Sequence, residues 1–551
     1  MLKQYVTDLR QEFSGYNGAK LVKDILAGLT VAAVALPLAL AFGVSSGADA
    51  AAGLITAIIA GAVIGGLSGA FYQISGPTGA MAAILVAVVS KYSMQGVFIA
   101  TLLAGIMLVL AGVLKLGRLT AYIPAPVITG FTSGISVLIA LGQVDHLFGV
   151  TSVGESSIDK ILSYFELGFH PNLAALCVGV FVILFMIAFP KKWNAVVPSS
   201  LIGIILATVL VKLLKLPVGV VGEIPKTLLP AERLTFSALS IKTLLNLLSP
   251  AFSIAMLGMI ESLLCGSSAG RMTGKRLDSD RELVAQGIGN MLLPFFGGIP
   301  ATAAIARTSV AVKSGAQTRL TGVFHALVLV ISMFLLAPVM SAIPLSALAG
   351  VLMVTAFRMN EWPAIRYIFS HKFKGAILKY GVTMLATVLF DLTTAIALGV
   401  LCALFLLVWR LSRVEINVES VDLGRMGGGC AEWSERCART RVIYIVGALI
   451  FANTQRIEEI PNSIPDDCDR VLFSMRGVPY IDVSCAQALA ETLIKLRARG
   501  VQIVLCGLSG ETMKTMERSG IAKLLGPEGF GWSVDRALKE NGLGDAKLCV
   551  E

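Results

Sequence analysis

The stretch Gln73-Ile74-Ser75-Gly76-Pro77-Thr78-Gly79-Ala80 lies where a membrane helix is expected, yet it carries two glycines and a proline. A second stretch repeats this pattern far along the chain: Gly297-Gly298-Ile299-Pro300-Ala301-Thr302-Ala303-Ala304-Ile305-Ala306-Arg307-Thr308-Ser309. We call these stretches the first and the second interruption. Unwound backbone at membrane depth is tolerated only inside protein or along a water-filled cavity. A matched pair of interruptions in two halves of a chain is typical of a transporter with its binding site at the bilayer midplane.

The composition around the interruptions is that of a membrane protein followed by a soluble domain. Of 551 residues, 56% are hydrophobic and 15% are charged, whereas a soluble domain carries about 25% charged residues. Apolar runs near the length of about 20 residues that spans a bilayer recur as far as Trp409. We therefore predict a cytoplasmic N-terminal tail (1–24), a transmembrane domain (25–412) and a cytoplasmic soluble domain (413–551).

Fourteen apolar segments are predicted, and the interrupted helix is the third in each set of seven. Because seven is an odd number, the second repeat (about 249–410) inserts upside-down relative to the first (about 25–215). Asp391 is expected to cap the last segment. The predicted segments are Ile25–Val44, Ala51–Ser68, the first interruption with Met81–Ser90, Val97–Leu114, Pro126–Gln143, Leu173–Phe189, Val197–Leu214, Ser249–Cys265, Leu283–Phe296, Pro300–Val312, Leu320–Met340, Leu345–Ala356, Phe373–Phe390 and Leu392–Trp409.

The basic residues indicate the orientation of these segments. The formal net charge is +10, and the cations cluster after even-numbered segments, as at Lys115/Arg118 and Lys191/Lys192. Cytoplasmic loops of membrane proteins carry an excess of Lys and Arg. The pattern therefore predicts that both termini are cytoplasmic, and it accounts for the basic charge without nucleic-acid binding. The first apolar run is longer than the core of a signal peptide, so we interpret it as the first membrane helix.

The chain beyond 412 alternates between strand-like and helical patterns, which predicts a small α/β domain. The nine cysteines of the whole chain show no metal-ligand or CxxC spacing, so no metal site is predicted. Exposed free thiols in this tail would suit a reducing cytosol. The predicted strands are Arg441–Val446, Val471–Met475 and Val501–Cys506, and the predicted helices are Ser484–Arg499 and Glu511–Ser519.

The two interruptions predict an anion site. The N-terminus of a helix exposes unpaired N–H groups and about +0.5 of partial charge, so two facing N-termini bind an anion without charged side chains. Arg307 adds a full charge beside the second interruption, and an arginine in a membrane segment is costly enough to suggest function. Alternatively, the tenth segment ends early and Arg307 is a cytoplasmic anchor. The approachable amides are those of Thr78, Gly79, Thr302, Ala303 and Ala304.

Glu261 is the second charged residue within an apolar segment. A buried carboxylate can carry a coupling proton or help to hold Na⁺. Glu261 and Thr302 are therefore candidates for the coupling-ion site. Alternatively, Glu261 is a structural partner for an amide or for Arg307, or it lies at the cytoplasmic rim.

In the tail, Tyr480-Ile481-Asp482-Val483-Ser484-Cys485 places Asp482 and Ser484 at the start of a predicted helix. An N-capping role explains most residues of this kind. The alternative is a regulatory site, at which Ser484 is phosphorylated or a partner docks.

Five motifs extend this interpretation over nearly the whole chain. They are Leu36-Pro37-Leu38-Ala39-Leu40-Ala41-Phe42, Gly76-Pro77-Thr78-Gly79, Met272-Thr273-Gly274 with Gln286-Gly287, Gly298-Ile299-Pro300-Ala301-Thr302 through Arg307-Thr308, and Val478-Pro479-Tyr480-Ile481-Asp482-Val483-Ser484. The first four resemble motifs of the SulP anion transporters, solute carrier family 26, and the last resembles the STAS domain that this family carries. The resemblance implies a polytopic seven-plus-seven inverted repeat with core and gate domains, an elevator-like motion and a homodimer.

The resemblance also implies site residues. It places an anion site between helices three and ten, flanked by helices one and eight, with Leu38, Phe42, Thr78, Ala306 and Arg307 at matching positions. Leu38 stands where many members have glutamine, which removes a donor for a sulfate-like anion. Cys485 stands where the tail motif often has glycine, which implies that the tail binds different partners or none by that surface.

These features together predict a secondary active transporter of a small anion in a bacterial plasma membrane. The candidate substrates are bicarbonate, sulfate, chloride and a dicarboxylate, coupled to H⁺ or Na⁺ or moved by exchange, with no cofactor. The predicted partners are membrane lipid, a second copy of the chain and a cytoplasmic protein at the STAS domain. The alternatives are an uncoupled channel or motor-like protein of the same family, and a nucleobase transporter of the related fold, which would lack the tail. No nucleophile, metal cluster or nucleotide loop in the sequence points to an enzyme.

Overall fold

The chain divides into two units, which we describe separately. In the computed structural model the described residues are 2–70, 72–118, 123–154, 157–190, 198–235, 240–390, 392–421 and 439–538. The division falls between Leu401 and Cys402, inside the last apolar helix. The domain boundary at 412/413 stays a prediction. Asp391, Lys191 and Lys192 lie outside the described residues.

Helices make up almost all of the described part of the first unit. Six of them have the length and composition needed to cross a membrane, and four shorter apolar helices accompany them in the described ranges. One of the six is α3 together with its continuation, a π-helical turn at Ala60–Ile64 and a last turn at Gly65–Leu67. Their bounds are α1 Leu2–Glu12, α2 Gly18–Ser45, α3 Ala50–Ile59, α4 Gly79–Val113, α5 Ala125–Gly142, α6 Ser157–Leu167, α7 Leu173–Ala188, α8 Ser199–Leu214, α9 Ile241–Thr273, α10 Ser279–Leu292, α11 Ile305–Lys313, α12 Leu320–Leu335, α13 Leu345–Met359, α14 Trp362–Ser370, α15 Lys374–Leu389 and α16 Leu392–Leu411.

Polar side chains fix where several of these helices begin. Asn17 caps α2, Asn172 caps α7 and Asp278 caps α10. Asp49 caps α3, where its carboxylate accepts a hydrogen bond from Ala52 N–H at 2.7 Å. Such a side chain satisfies one of the N–H groups that a helix start leaves unpaired. The apolar residues that follow each cap then extend the helix through the bundle.

The helices pack into two groups. The core group contains α2, α3, α4, α9, α10, α11 and α12, and the gate group contains α5, α7, α8, α13 and α15. The core group corresponds to predicted segments one to four and eight to eleven, and the gate group to five to seven, twelve and thirteen. The same division in both halves is the one that a seven-plus-seven repeat with core and gate domains requires.

Glycines allow the closest helix contacts in the core group. A Cβ at Gly53 would lie 2.8 Å from Gly43 N, where α2 crosses α3, and a Cβ at Gly287 would lie 2.6 Å from Gly105 O, where α4 crosses α10. Small residues let helix backbones approach each other in membrane proteins. The elements that carry the interruptions are therefore packed against rigid neighbours.

The two interruptions pair with each other as a short antiparallel sheet. β1 (Ser75–Gly76) pairs with β2 (Thr302–Ala303), so that Ser75 faces Ala303 and Gly76 faces Thr302. The pairing extends to Ala304 N–H, which donates to Ile74 O at 2.9 Å. Each strand leads directly into a helix, α4 after β1 and α11 after β2. The chain thus presents two helix N-termini side by side.

Several predicted boundaries were wrong for identifiable physical reasons. The tenth segment was predicted from Pro300, but α11 begins at Ile305 because the preceding residues pair with β1. The eleventh was predicted as one helix to Met340, but α12 ends at Leu335 and a separate short helix, Ala337–Met340, carries a proline in its first turn. Predicted segments three and four are the two halves of α4, which Ser93 separates with φ 59°.

Four helices in the described part of the first unit lie outside the predicted segments and were missed: α1, α6, α14 and the short helix Val144–Phe148. The reason is clearest for α1, whose carboxylates have partners far away in the sequence. Asp8 pairs with Arg281, and Glu12 pairs with Arg319 at 2.7 Å. The stretch looks like a polar tail when these partners are unknown.

The second unit contains a five-stranded sheet in the order β3-β4-β5-β6-β7. β3 pairs antiparallel with β4, and the other neighbours are parallel. The three predicted strands and both predicted helices are confirmed, whereas β3 and β7 were missed. The bounds are β3 Glu415–Ser420, β4 Thr440–Val446, β5 Arg470–Gly477, α17 Val483–Ala498, β6 Gln502–Cys506, α18 Gly510–Arg518 and β7 Phe530–Gly531, with short helices at Thr454–Glu458, Ile521–Leu525 and Val534–Leu538.

The thiols of the second unit differ from the expectation of exposed cysteines. Cys468, Cys485 and Cys506 are free and buried in the described part of this unit. Their burial follows from the strong preference of cysteine for protein interiors. The tail cysteines at 430, 437 and 549 lie outside the described residues.

Candidate functional site

The start of α4 places Thr78 and Glu261 together. Thr78 is the N-cap of α4, and its hydroxyl oxygen accepts a hydrogen bond from Met81 N–H at 3.4 Å. The same hydroxyl donates to Glu261 Oε2 at 3.0 Å. Glu261 lies in the middle of α9, half-buried, beside the first interruption. The cytoplasmic-rim interpretation of Glu261 is therefore wrong.

The start of α11 has a different arrangement, because no side chain caps it. Thr302 and Ala303 form β2 just before it. Thr302 Oγ1 lies 2.9 Å from the hydroxyl of Ser262, which also accepts from Ala303 N–H at 3.3 Å. Ser262 was not among the residues predicted from the sequence. Its only signal was a small hydroxyl residue directly after Glu261 on an apolar helix.

Arg307 lies in the first turn of α11 and is 1% exposed. Its Nη2 donates to the carbonyl of Pro77 at 2.5 Å, and its Nη1 is buried with no hydrogen-bond partner among the described residues. A Cβ at Gly76 would lie 2.5 Å from Nη1, so the guanidinium packs against β1 only because position 76 is glycine. A buried side chain that crosses to the other interruption is not a cytoplasmic anchor, and that alternative is wrong.

The remaining predicted residues lie around these two helix starts. Leu38 and Phe42 are buried on α2. A Cβ at Gly79 would lie 3.1 Å from Cε1 of Phe42 and would also meet Ile139 of the gate group. Ala306 is exposed in the first turn of α11. The structure thus brings Phe42, Thr78 and Glu261 to the α4 start, whereas Ala306 faces away from protein.

A cavity of about 760 Å³ reaches the first interruption. Among the predicted binding residues, Gly79 lines it. It runs between the core and gate groups, past Ile139 and Ser253, to charged residues that include Asp145, on the short helix Val144–Phe148, and Lys160, on α6. The first helix start is therefore accessible from that side of the molecule, beside the boundary between the two groups.

The charges and dipoles at the two helix starts favour negative charge on physical grounds. Because the opposite formal charges of Glu261 and Arg307 cancel, the remaining positive potential comes from the partial charges of the two helix N-termini. The first turn of α11 offers N–H groups that no side chain caps. Among the described residues, no cluster of three His, Cys, Asp or Glu side chains could hold a metal ion.

The predicted regulatory residues lie at the start of α17. Asp482 is its N-cap and accepts from Cys485 N–H at 2.8 Å and from Phe451 N–H at 2.6 Å. Ser484 is exposed in the first turn. Cys485 is fully buried, and its thiol donates to Ile450 O at 2.9 Å. Burial raises the pKa of Cys485 to about 12. The Cys485 departure therefore lies in the interior of the domain, and the expectation about partners of the tail stays a prediction.

The chain matches two families of known proteins. Residues 21–385 match the sulfate permease family, and residues 434–537 match the STAS domain. The chain belongs to the sulfate permease family. It is therefore an anion transporter of the membrane with a STAS domain, and not an enzyme.

Similar proteins of the sulfate permease family include transporters of two anions. The chain is 32% identical to "Putative sulfate transporter YvdB" of Bacillus subtilis, over 94% of this chain and 97% of that protein. It is 31% identical to "Bicarbonate transporter BicA" of Picosynechococcus, over 95% of this chain and 94% of that protein.

Two solved structures share the fold. The transmembrane domain of a cyanobacterial bicarbonate transporter BicA is 29% identical, with a TM-score of 0.65, over 69% of this chain and 98% of that one. The murine anion transporter Slc26a9 in the inward-facing state has a TM-score of 0.81 over 95% of this chain and 92% of that one. At 18% identity, the second match shows the fold alone. Both agree with the predicted seven-plus-seven membrane domain, and the match of residues 434–537 agrees with the predicted STAS domain.

Proposed function

We propose that this protein is a secondary active transporter that binds a small anion between the N-termini of α4 and α11. The observation that carries the proposal is the antiparallel pairing of β1 with β2, which places the two helix starts side by side. Arg307 bridges from one interruption to the other through the carbonyl of Pro77. Helix N-termini and a nearby guanidinium both favour negative charge.

Among bicarbonate, sulfate, chloride and a dicarboxylate, we propose bicarbonate as the first candidate. Since the formal charges of Glu261 and Arg307 cancel, the positive charge available to an anion is mainly the partial charge of the two helix N-termini. This small charge suits a monovalent anion better than a divalent one. Phe42 adds apolar surface and no donor beside Gly79. The relative named a bicarbonate transporter supports this choice, whereas the relative named a putative sulfate transporter keeps sulfate in the comparison.

For coupling, we propose that H⁺ or Na⁺ acts through Glu261 and Thr302. The Glu261 carboxylate accepts from Thr78, the cap of one helix start. Thr302 shares a hydroxyl pair with Ser262 beside the other start. An ion held at Glu261 would therefore change the charge next to the anion. In the proposed elevator motion the core group carries both helix starts past the gate group, and the cavity that reaches Gly79 forms one side of the pathway.

We further propose a plasma-membrane location with both termini in the cytoplasm, a homodimer, and regulation through the STAS domain. The exposed Ser484 lies in the first turn of α17, where a phosphate would be stabilised by the helix N-terminus. Its neighbour Asp482 is occupied in capping that helix, so Ser484 is the more accessible of the two.

A counterflow screen in proteoliposomes tests the proposal. Purified protein is offered bicarbonate, sulfate, chloride, fumarate and aspartate, with and without a Na⁺ or H⁺ gradient. We expect bicarbonate to exchange fastest, and an imposed cation gradient to drive its uptake uphill. Uptake that never exceeds equilibrium under any gradient would indicate an uncoupled channel, and absence of counterflow for every anion would overturn the proposal.

A further inference from the structure

The face of α10 carries three polar side chains at intervals of four residues: Glu282, Gln286 and Asn290. All three are at most 1% exposed. Residues at this spacing lie on one face of a helix. Because burying a polar group costs free energy unless it is hydrogen-bonded, three in one row on a helix of the membrane unit require partners. We call these residues the α10 polar row.

Gln286 and Asn290 are hydrogen-bonded to the two interruptions. Gln286 Nε2 donates to the hydroxyl of Ser75, in β1, at 2.9 Å. Asn290 Nδ2 donates to Ala301 O at 2.9 Å, and Asn290 Oδ1 accepts from Ala301 N–H at 2.8 Å. Ala301 directly precedes β2. The Asn290 amide therefore satisfies both backbone groups of Ala301, as a neighbouring strand would.

Glu282 connects the row to the residues that precede the first interruption in the chain. The Glu282 carboxylate accepts from the hydroxyl of Ser68 at 2.5 Å, from Gly69 N–H at 3.0 Å and from Gln286 Nε2 at 2.9 Å. These three hydrogen bonds fix the orientation of the Gln286 amide, which then donates to Ser75. The row is thus a continuous chain of hydrogen bonds from Ser68 to β1.

We infer that the α10 polar row is a positioning element that fixes the separation of the two helix N-termini and thereby the anion that fits between them. Gln286 and Asn290 are four residues apart, about 6 Å along the helix axis. Since one is bonded to β1 and the other to the residue before β2, neither strand can shift without breaking a buried hydrogen bond. The inference rests on the proposed anion site.

Asn290 gives the sharpest test, because its two hydrogen bonds to Ala301 can be removed separately. Asn290→Asp keeps an acceptor for Ala301 N–H and loses the donor to Ala301 O. Asn290→Ala loses both, and each of these changes also removes the bond from Asn290 Nδ2 to Gln286 O, at 2.9 Å within α10. Ser75→Ala removes the acceptor in β1 while Gln286 keeps its bond to Glu282. Thr101→Val is the matched control, since the Thr101 hydroxyl is buried in the same core group and, among the residues that the structure describes, bonds only within its helix, to Val97 O at 2.7 Å.

The measurement is the uptake KM and Vmax for bicarbonate and for the larger anion fumarate, in proteoliposomes of the full chain. If the separation of the two helix N-termini is no longer fixed, the site loses its preference for bicarbonate over the larger fumarate. We expect Asn290→Ala to reduce the bicarbonate-to-fumarate ratio of Vmax/KM about tenfold, mainly through the bicarbonate KM, as loss of two buried hydrogen bonds allows. For Asn290→Asp and Ser75→Ala we expect about threefold. Thr101→Val keeps the wild-type ratio.

An unchanged ratio in Asn290→Asp and Ser75→Ala, with only Vmax or thermal stability lowered, would show that the row is purely structural and would overturn the inference. These two variants decide the question if Asn290→Ala does not fold. Failure of the proposed function looks different. If the proposed function is wrong, Arg307→Ala leaves bicarbonate uptake intact. If only this inference is wrong, Arg307→Ala is inactive, and the variants of the α10 polar row keep the wild-type bicarbonate-to-fumarate ratio of Vmax/KM.

Discussion

The two interruptions resemble each other in sequence, yet the helix starts that they form are built differently. The α4 start is capped by the Thr78 hydroxyl, which is bonded to a carboxylate on α9. The α11 start has no side-chain cap and carries Arg307 in its first turn. One start is thus linked to an acid that can hold a cation, and the other contributes the positive charge. In the proposed function, the difference assigns coupling to the α4 start and anion attraction to the α11 start, although Glu261 and Arg307 both belong to the second repeat.

The largest effect is expected from Arg307→Ala. This change removes the charge of the α11 start and leaves the Pro77 carbonyl without its donor. Because hydrogen bonds to charged groups contribute about 1.5–3 kcal/mol, we expect bicarbonate uptake to fall by about 100-fold. Arg307→Lys keeps the charge and should recover part of the rate. Initial uptake rates in proteoliposomes, normalised to folded protein, measure the effect, and wild-type rates in Arg307→Ala would remove the assigned difference between the two starts.

Gly76→Ala tests whether the position of the guanidinium matters as well as its charge. The new Cβ would lie 2.5 Å from Nη1 of Arg307, so the side chain must move away from β1. We expect the KM for bicarbonate to rise about tenfold, from a loss of about 1.4 kcal/mol. Gly381→Ala is the control, because nothing lies within 4 Å of a Cβ at that position. Equal KM values for the two variants would show that the packing against β1 is irrelevant to binding.

Glu261→Gln addresses the other start. A glutamine oxygen can still accept from Thr78, so the helix cap is retained while the charge is lost. We expect anion uptake to persist but to lose its response to the driving cation gradient, measured as uptake against pH and against Na⁺ concentration. Curves that superimpose on those of the wild type would eliminate Glu261 as a coupling residue.

The smallest effect is expected from Ser262→Ala. This change removes the partner of Thr302 and the acceptor for Ala303 N–H, at 2.9 Å and 3.3 Å. The loss of neutral hydrogen bonds of about 1 kcal/mol should raise the bicarbonate KM about threefold to fivefold. A KM that equals the wild-type value would indicate that β2 is held by its other contacts alone.

The parts of this fold that the sequence predicts are those with a local cause. Long apolar runs produced the membrane helices, and alternating β-branched strands with amphipathic helices produced β4 to β6 with α17 and α18. The interruptions were visible because glycine and proline disfavour helix interiors whatever surrounds them. Their pairing as β1 and β2 was not visible, because register between distant strands depends on tertiary contacts. That pairing is why α11 begins at Ile305 and not at Pro300.

The candidate site shows the same limit at the level of single residues. Arg307 and Glu261 stood out since a charge in an apolar segment is costly. The sequence could not show that Arg307 bonds to Pro77, or that Thr78 is the partner of Glu261, since each pair joins two distant segments. Ser262 and the α10 polar row were overlooked for a related reason. Neutral polar residues in membrane helices are common, and only their bonds to β1, β2 and Ala301 distinguish these from others.

The position of the bound anion tests the central claim most directly. The protein is imaged with bromide or selenate, whichever inhibits bicarbonate uptake more strongly, so that anomalous scattering locates the anion. The account predicts one peak within about 3.5 Å of backbone N–H groups at both helix starts, those of Gly79 or Ala80 on α4 and of Ile305 or Ala306 on α11. A peak elsewhere in the membrane unit, with the space between the two helix starts empty, would contradict it.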